Sequence, residues 1–151
     1  MAALEKISTL NDMKDLMIEL HRLEVKLLFD FYGVLQDFPS KKLLPQWLQK
    51  KGVNNAFVTD KGNEAFAKIN NSKKLCVIIY DLETPDLNGL QFLTALENKP
   101  DLKSRCKVIM AIPKLAPDAQ NAILQRGANT IISKPLGDNL AAAFEKIGLN
   151  Y

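Results

Sequence analysis

The sequence predicts an α/β fold with a five-stranded parallel sheet, helices on both faces, and one helix ahead of the first strand. Short apolar runs alternate five times with amphipathic segments of helical length. This alternation requires crossover connections and therefore parallel strands. The most apolar run, Leu75–Tyr80, shows no polar alternation, which is typical of a strand buried on both faces. It ends at Asp81, and a turn with Pro85 and Asn88-Gly89 follows.

Composition limits the classes of partner and location. The chain has 151 residues, 47% of them hydrophobic and 25% charged, which suits one globular domain. Its net charge of +3 is spread along the chain, so we expect no nucleic-acid partner. No apolar run approaches the roughly 18 residues of a membrane span. Two cysteines and one histidine cannot make a structural zinc site, and free buried thiols suit a reducing cytoplasm, where we place the protein.

Residues 1–24 are predicted to form an N-terminal helical extension of a domain covering residues 25–151. The helix is expected from Ala2 to Leu23. Its apolar stripe has spacings of three and four: Leu4, Ile7, Leu10, Met13, Met17, Leu20 and Leu23. Two interpretations stay open, in which the stripe packs on its own domain or forms the seam of a homodimer. His21 is interpreted as a solvated residue near the helix end rather than a phosphoryl carrier.

The first strand is predicted at Val25–Phe29, with Asp30 at its end and a long loop from Phe31 to Ser40. N-cap residues, a proline at a first helical position and stop glycines then delimit the later elements. These are a helix Ser40–Lys51, a strand Asn55–Thr59, a helix Asp60–Ile69, the strand Leu75–Tyr80, a helix Leu90–Asn98, a strand Val108–Ile112, a helix Pro117–Arg126, a strand Thr130–Ser133 and a helix Gly137–Gly148.

Two motifs carry a family likeness. The segment Asp81–Gly89 has the spacing Asp-x-x-x-Pro-x-x-Asn-Gly, and Gly127–Pro135 begins Gly-Ala and ends Lys-Pro. Together they resemble the receiver domains of response regulators. The resemblance implies a flavodoxin-like strand order 2-1-3-4-5. It also implies that Asp81 accepts a phosphoryl group from a histidine kinase and that Lys134 pairs with the phosphate.

The resemblance further implies a Mg²⁺ ion, because phosphoryl transfer needs charge neutralisation and Mg²⁺ needs hard oxygen ligands. Its ligands would be Asp81, the backbone carbonyl of Glu83 and an acidic pair after the first strand, of which only Asp30 is found. The Glu83 side chain is a candidate to replace the missing carboxylate, or to pair with Lys134 or Lys114.

Two positions of the family's switch are also altered. Ile112 stands where the family has a Thr or Ser, and Ile131 stands where it has an aromatic ring. These departures favour an atypical or pseudo-receiver form that acts through protein contacts. The alternative is a conventional response regulator phosphorylated on Asp81. We expect no enzymatic activity beyond gain and loss of that phosphoryl group.

We also expect no output domain. The partner would be a histidine kinase or another signalling protein. The family surface that commonly makes such contacts would here include Gln120, Gln125, Ile131 and Lys134.

A competing likeness covers Leu27–Leu35, which is similar to the first motif of haloacid-dehalogenase-type phosphatases. It would make Asp30 the nucleophile of a Mg²⁺-dependent phosphatase. However, Tyr32 replaces the acid/base aspartate, and Met110–Pro113 carries no carboxylate for the metal. This alternative also leaves the Asp81 segment unexplained, so it ranks below the receiver.

Overall fold

The computed structural model describes residues 9–114 and 117–149, apart from the side chains of residues 25–27. Five parallel strands form one sheet in the order β2-β1-β3-β4-β5. The predicted fold class and strand order are therefore confirmed. The beginning of the predicted N-terminal helix, at Ala2, lies outside the described residues.

The elements follow one another in strict alternation after the first helix, with one additional short helix between β3 and β4. They are α1 Leu10–Leu28, β1 Phe29–Val34, α2 Phe38–Lys50, β2 Phe57–Thr59, α3 Gly62–Asn71, β3 Leu75–Asp81, α4 Gly89–Glu97, α5 Pro100–Lys103, β4 Cys106–Ile112, α6 Pro117–Gln125, β5 Thr130–Ser133 and α7 Asn139–Lys146. None of these helices is long and apolar enough to cross a lipid bilayer.

Successive side chains of β3 enter two separate cores, because side chains alternate between the faces of a strand. Ile78 and Tyr80 join a cluster with residues of α3, α4, α5 and α6. Val77 and Ile79 join a second cluster with residues of α2 and α7. Both faces of the central strand are therefore dry, which explains its continuous apolar run. Only its first residue, Leu75, is exposed, and Asp81 at its other end is buried.

The predicted position of the first strand, Val25–Phe29, is wrong. Residues 25–28 belong to α1, and the strand is Phe29–Val34, so the predicted loop contains the second part of the strand and the start of α2. Leu16, Leu20, Leu23 and Leu27 continue at spacings of three and four, so the helical period extends into the residues predicted as strand. A charged residue at Asp30 and a glycine at Gly33 broke the apolar run that would have marked β1. At Gly33 a Cβ would lie 2.7 Å from Leu44 Cδ2, so close packing of α2 on β1 requires glycine there.

Candidate functional site

The carboxyl edge of the sheet brings together the ends of three strands. Asp81 is the last residue of β3, Gln36 and Asp37 follow β1, and Lys134 follows β5. A cavity of about 190 Å³ opens at this edge. Its lining residues are Gln36, Asp81, Leu82, Glu83, Ala111, Pro113 and Lys134.

Asp81 is held through one carboxylate oxygen. Oδ2 accepts a hydrogen bond from the Gln36 amide at 2.7 Å and one from Lys134 Nζ at 2.6 Å. Oδ1 is buried and has no hydrogen-bond partner among the described residues. The side chain is 5% exposed. Buried polar atoms are nearly always paired, so the orphaned Oδ1 marks a position prepared for a ligand or a covalent group.

Lys134 bridges two carboxylates. Besides Asp81, its ammonium contacts Asp37 Oδ1 at 2.5 Å. The other oxygen of Asp37 accepts a hydrogen bond from the Ser40 amide at 2.9 Å and caps α2. Asp37 therefore connects the start of α2 to Lys134 and Asp81, and Pro39 in the first turn of the helix suits that start.

The pKa values of the three charged groups are shifted in different directions. Burial raises the pKa of the Asp81 carboxyl, and the hydrogen bonds from Lys134 and the Gln36 amide oppose it only in part. Burial acts on Asp37 in the same sense, but its bonds to Lys134 and Ser40 outweigh it and lower the pKa to about 2. Burial disfavours the Lys134 ammonium, yet the two carboxylates raise its pKa. One lysine is thus shared by two acids, and Asp81 is the one that takes up a proton first as the pH falls.

The turn after Asp81 is fixed by its own polar groups. Thr84 is buried, and its hydroxyl donates to the Asp81 carbonyl at 2.8 Å. Asn88 and Gln91 form a reciprocal capping box that begins α4. Asp86 accepts from the amides of Gly62 and Asn63 at the start of α3, which ties the turn to that helix.

Asp30 is not at this site, and its prediction as a metal ligand is wrong. It pairs in register with Cys76, five residues before Asp81, so about 16 Å of sheet separates the two at about 3.3 Å per residue. Its carboxylate accepts from the Ser72 hydroxyl at 2.7 Å and lies 3.9 Å from Lys74 Nζ. It is a partner for polar groups at the amino edge of the sheet.

The same placement overturns the phosphatase alternative. Asp30 would need to stand at the carboxyl edge to attack a phosphate held by the loops there. Tyr32, in the acid/base position of that motif, is buried in the core against Phe57 and Ala65 rather than in the cavity. Burial raises the pKa of its hydroxyl to about 12, the Asp30 charge adding to the effect.

Ile112 and Ile131, the two residues predicted to stand at the family's switch positions, pack into the core and do not line the cavity. Ile112 is buried in the core cluster with Tyr80 and Met110, and the cavity is lined by its neighbours Ala111 and Pro113. Ile131 is half-buried against the same cluster. Aliphatic side chains in these places fill the core and offer no hydroxyl to a phosphoryl oxygen.

Three site residues were missed by the sequence analysis: Gln36, Asp37 and Thr84. Gln36 donates its backbone amide to Asp81, and its side chain donates to the Asp60 carbonyl at 2.8 Å. The signal for Asp37 was present, because an Asp followed by Phe-Pro-Ser is an N-cap with proline in the first turn. It was overlooked because the first strand was predicted to end at Phe29, which left Asp37 inside a long predicted loop.

The described side chains place two carboxylates where a Mg²⁺ ion could be held. Mg²⁺ in proteins is often held by one or two carboxylates, with water and phosphate completing its shell. Asp37 and the unpartnered Oδ1 of Asp81 supply two carboxylates at one edge, and Glu83 is exposed beside them. No group of three or more His, Cys, Asp or Glu side chains in the described part of the chain is arranged to hold a metal. Asp37 and Asp81 are two carboxylates, one fewer than the acidic pair and the acceptor that the resemblance implies.

Comparison with known proteins agrees with this geometry. The sequence model of the response regulator receiver domain matches residues 36–144. The comparison with curated proteins gives no match.

Solved structures share the fold. The chemotaxis response regulator CheY4 of Vibrio cholerae is 21% identical, with a TM-score of 0.70 over 80% of this chain and 98% of that one. The receiver domain of a signal transduction histidine kinase from Syntrophus aciditrophicus is 24% identical, with a TM-score of 0.64 over 78% and 87%. The receiver domain of the histidine kinase CKI1 from Arabidopsis thaliana, complexed with Mg²⁺, is 20% identical, with a TM-score of 0.65 over 78% and 90%.

Proposed function

The chain belongs to the response regulator receiver domain family, and on that premise we propose that it is an atypical receiver that signals through protein contacts, with Asp81 as a weakly activated phosphoacceptor. Receiver domains are signalling modules of two-component systems. The observation that carries the proposal is the buried, unpartnered Oδ1 of Asp81 beside the lysine that matches the family's phosphate-pairing residue.

In this proposal the two oxygens of Asp81 have separate tasks. Oδ2 is held by Lys134 and the Gln36 amide, which fixes the orientation of the carboxylate. Oδ1 is the nucleophile that forms the new oxygen–phosphorus bond, while the bond between phosphorus and the donor's nitrogen breaks. Lys134, already within reach of Asp81, neutralises the added charge. Positioning and charge neutralisation supply most of the catalysis in such transfers.

Asp81, Asp37 and the backbone carbonyl of Glu83 are the groups that would hold Mg²⁺. When bound, the ion would spread the charge that develops on the phosphoryl oxygens. Asp37 already serves Lys134 and the Ser40 amide, so it is only partly available. This competition and the missing second carboxylate support slow phosphorylation that depends on a weakly bound Mg²⁺ ion.

A second candidate function is supported by the Lys134 bridge itself. In a pseudo-receiver, Asp37, Lys134 and Asp81 would be an internal ion-pair network that holds α2, β3 and β5 together. Buried charges that are mutually paired serve a structural role without chemistry. The domain would then be a constitutive binding module, and Asp81→Asn would leave its partner affinity unchanged as long as the protein stays folded.

The partners we propose are a histidine kinase as phosphoryl donor and a second copy of the chain bound through α1. The surface formed by α6 and β5, with Gln120, Gln125 and Ile131, is proposed as the contact for signalling proteins. A cytoplasmic location and a domain boundary near residue 24 stay predictions, although α1 continues without a break through that boundary to Leu28.

The test is chemical phosphorylation of the full chain with acetyl phosphate, followed by mass spectrometry of the intact protein and its peptides. We expect one added phosphoryl group, on Asp81, that depends on Mg²⁺ and is absent in Asp81→Asn. Asp37→Asn should slow the reaction, and the matched variant Asp30→Asn, at the other edge of the sheet, should not. Absence of modification at Asp81 would contradict its role as phosphoacceptor and favour the pseudo-receiver.

A further inference from the structure

Two clefts lie between α1 and the body of the domain. One, of about 590 Å³, opens against the end of α2, and the other, of about 530 Å³, opens against α7. The apolar stripe of α1 lines them, with Leu16, Leu20 and Leu23 in the first cleft and Met17 and Ile18 in the second. Leu20 and Leu23 are 55% and 52% exposed, because the cleft beside them is open to solvent. Apolar side chains in an open cleft with a polar rim are typical of a ligand site.

Arg22 stands between the two clefts and lines both of them. Its Nε atom is buried and has no hydrogen-bond partner among the described residues. Buried polar atoms are nearly always paired, so this N–H group points to an acceptor that the chain itself does not supply there. The acceptors that a guanidinium group binds best are the oxygens of carboxylates and phosphates.

Charge distinguishes the two clefts. Lys50 and Lys51, at the end of α2, line the first cleft together with Arg22, and the carboxylate in its lining is Glu19. The second cleft has no lysine in its lining and contains Glu145. The cleft against α2 therefore combines an excess of positive charge with an apolar wall. The methylene stems of lysine side chains can cover apolar groups while their ammonium groups stay in water, so the two properties are compatible.

We infer that the cleft between α1 and α2 binds a small amphiphilic anion, an acyl chain with a carboxylate or phosphate head. The head accepts from Arg22 and pairs with the two lysines at the end of α2. The chain lies along Leu20 and Leu23 and removes them from water. The volume of the cleft, about 590 Å³, is within the range of about 300–1,000 Å³ that is usual for small-molecule sites.

The composition of α1 favours a free amphiphile over the surface of a bilayer. Helices that lie on anionic lipid surfaces are rich in Lys and Arg. The helix Leu10–Leu28 carries four carboxylates and three Lys or Arg residues. The excess of positive charge belongs to the cleft, where α2 contributes its lysines, and not to the helix as a whole.

The first test is an NMR titration of the full chain with decanoate below its micelle concentration. The Nε–H signal of Arg22 and the backbone amides of Leu20, Leu23 and Gly52 should shift and saturate, and the amide of Gln125 on α6 should not. Decanol has the same chain without the charge and should bind at least about tenfold more weakly. Acetate should give no saturable shift. Decanoate should bind up to about fifteenfold more tightly than octanoate, because one buried methylene group is worth about fourfold.

Variants of the cationic rim test the role of charge. Arg22→Gln, and separately Lys50→Gln with Lys51→Gln, should weaken decanoate about tenfold or more and leave the affinity for decanol unchanged. Lys99→Gln with Lys103→Gln removes two lysines elsewhere on the surface and should change neither affinity. Equal affinities for decanoate and decanol in the wild-type chain would overturn the anion site.

A variant of the apolar wall tests the place of the chain. Leu20→Glu should abolish the binding of both amphiphiles with an unchanged circular dichroism spectrum. Leu124→Glu, at an exposed leucine of α6, is the matched control and should bind as the wild type does. Decanoate binding that survives Leu20→Glu would overturn the assignment to this cleft.

Two other occupants of the cleft are outcomes of the same experiments. A chain that sediments with phosphatidylglycerol vesicles but gives no shifts with decanoate would assign the cleft to a bilayer. A chain that is dimeric by light scattering and gives no shifts would assign it to a second copy. Either result would overturn the proposal. None of these measurements involves Asp81, so their outcome is independent of its role as phosphoacceptor.

Discussion

Lys134 stands between two carboxylates of unequal burial. The Asp81 side chain is 5% exposed and that of Asp37 is 41% exposed. Burial makes ionised Asp81 dependent on the lysine, whereas Asp37 also has water and the Ser40 amide. The same lysine therefore sets both the readiness of the acceptor and the stability of the fold around it.

Lys134→Gln should destabilise the folded state by about 3–5 kcal/mol at pH 7, because it leaves a buried carboxylate without its counter-charge. Urea unfolding measures the change. Lys103→Gln, which breaks an exposed pair with Glu97 at 3.9 Å, is the control and should cost about 1 kcal/mol or less. Equal losses in the two variants would show that Asp81 does not need Lys134.

The pKa of Asp81 should fall in Asp37→Asn. The Asp37 charge contributes to the raised pKa of Asp81, and its removal also frees Lys134 for a single carboxylate. Because the folded-state pKa is raised, ionisation of Asp81 costs stability as the pH rises, and this variant should reduce that cost. Carboxyl-carbon NMR titration measures the pKa, with Asp30→Asn as the unshifted control. A rise in Asp37→Asn would contradict the shared-lysine arrangement.

Asp81 and Lys134 were predictable because each lies in a motif bounded by turn residues and an apolar run. The N-cap signal of Asp37 was readable in the sequence, but its place at the site depended on the position of β1. Two apolar runs, Val25–Phe29 and Phe31–Leu35, follow each other in the sequence, and only packing decides which one joins the sheet. The wrong choice placed Asp30 at the carboxyl edge of the sheet, whereas it lies at the amino edge.

At the scale of elements, the start of α3 packs closely against the turn that follows Asp81. A Cβ added at Gly62 would lie 2.1 Å from the Tyr80 hydroxyl and 3.0 Å from the Leu87 carbonyl oxygen. The Tyr80 hydroxyl donates to that same carbonyl. The amide of Gly62 donates to Asp86 at 2.9 Å. This glycine is required by close approach and not by its backbone angles.

Gly62→Ala should therefore destabilise the protein by about 1–3 kcal/mol, the typical cost of overpacking. Gly137→Ala is the matched control, because a Cβ there meets no atom within 4 Å. It should be neutral or stabilising by up to about 1 kcal/mol. Thermal or urea unfolding measures both variants. A neutral Gly62→Ala would mean that the turn and α3 are less tightly joined than their contacts indicate.

At the scale of the whole molecule, the proposed atypical form rests on two aliphatic residues at the predicted switch positions. Ile112 and Ile131 pack into the core and contribute no hydroxyl or swinging ring. The alternation of strands and helices was enough to predict the sheet. What covers the apolar stripe of α1 was not predictable, because periodicity identifies such a stripe without identifying its partner.

Beryllofluoride, a mimic of the phosphoryl group on a carboxylate, should change amide NMR shifts only around the site. Gln36, Leu82 and Lys134 should respond, and Gln125 on α6 should not. Asp81→Asn is the control that removes the response altogether. Comparable shifts along α6 and β5 would show that a relay operates without the usual residues.

A Mg²⁺ titration followed at the backbone amides of Gln36, Asp37 and Glu83 tests the central claim most directly, namely that the carboxyl edge of the sheet is a working but weakened receiver site. We predict saturable shifts at these amides, an affinity lowered at least about tenfold in Asp37→Asn, and no change in Asp30→Asn. Absence of Mg²⁺-dependent shifts at these amides, or equal affinity in wild type and Asp37→Asn, would contradict the account.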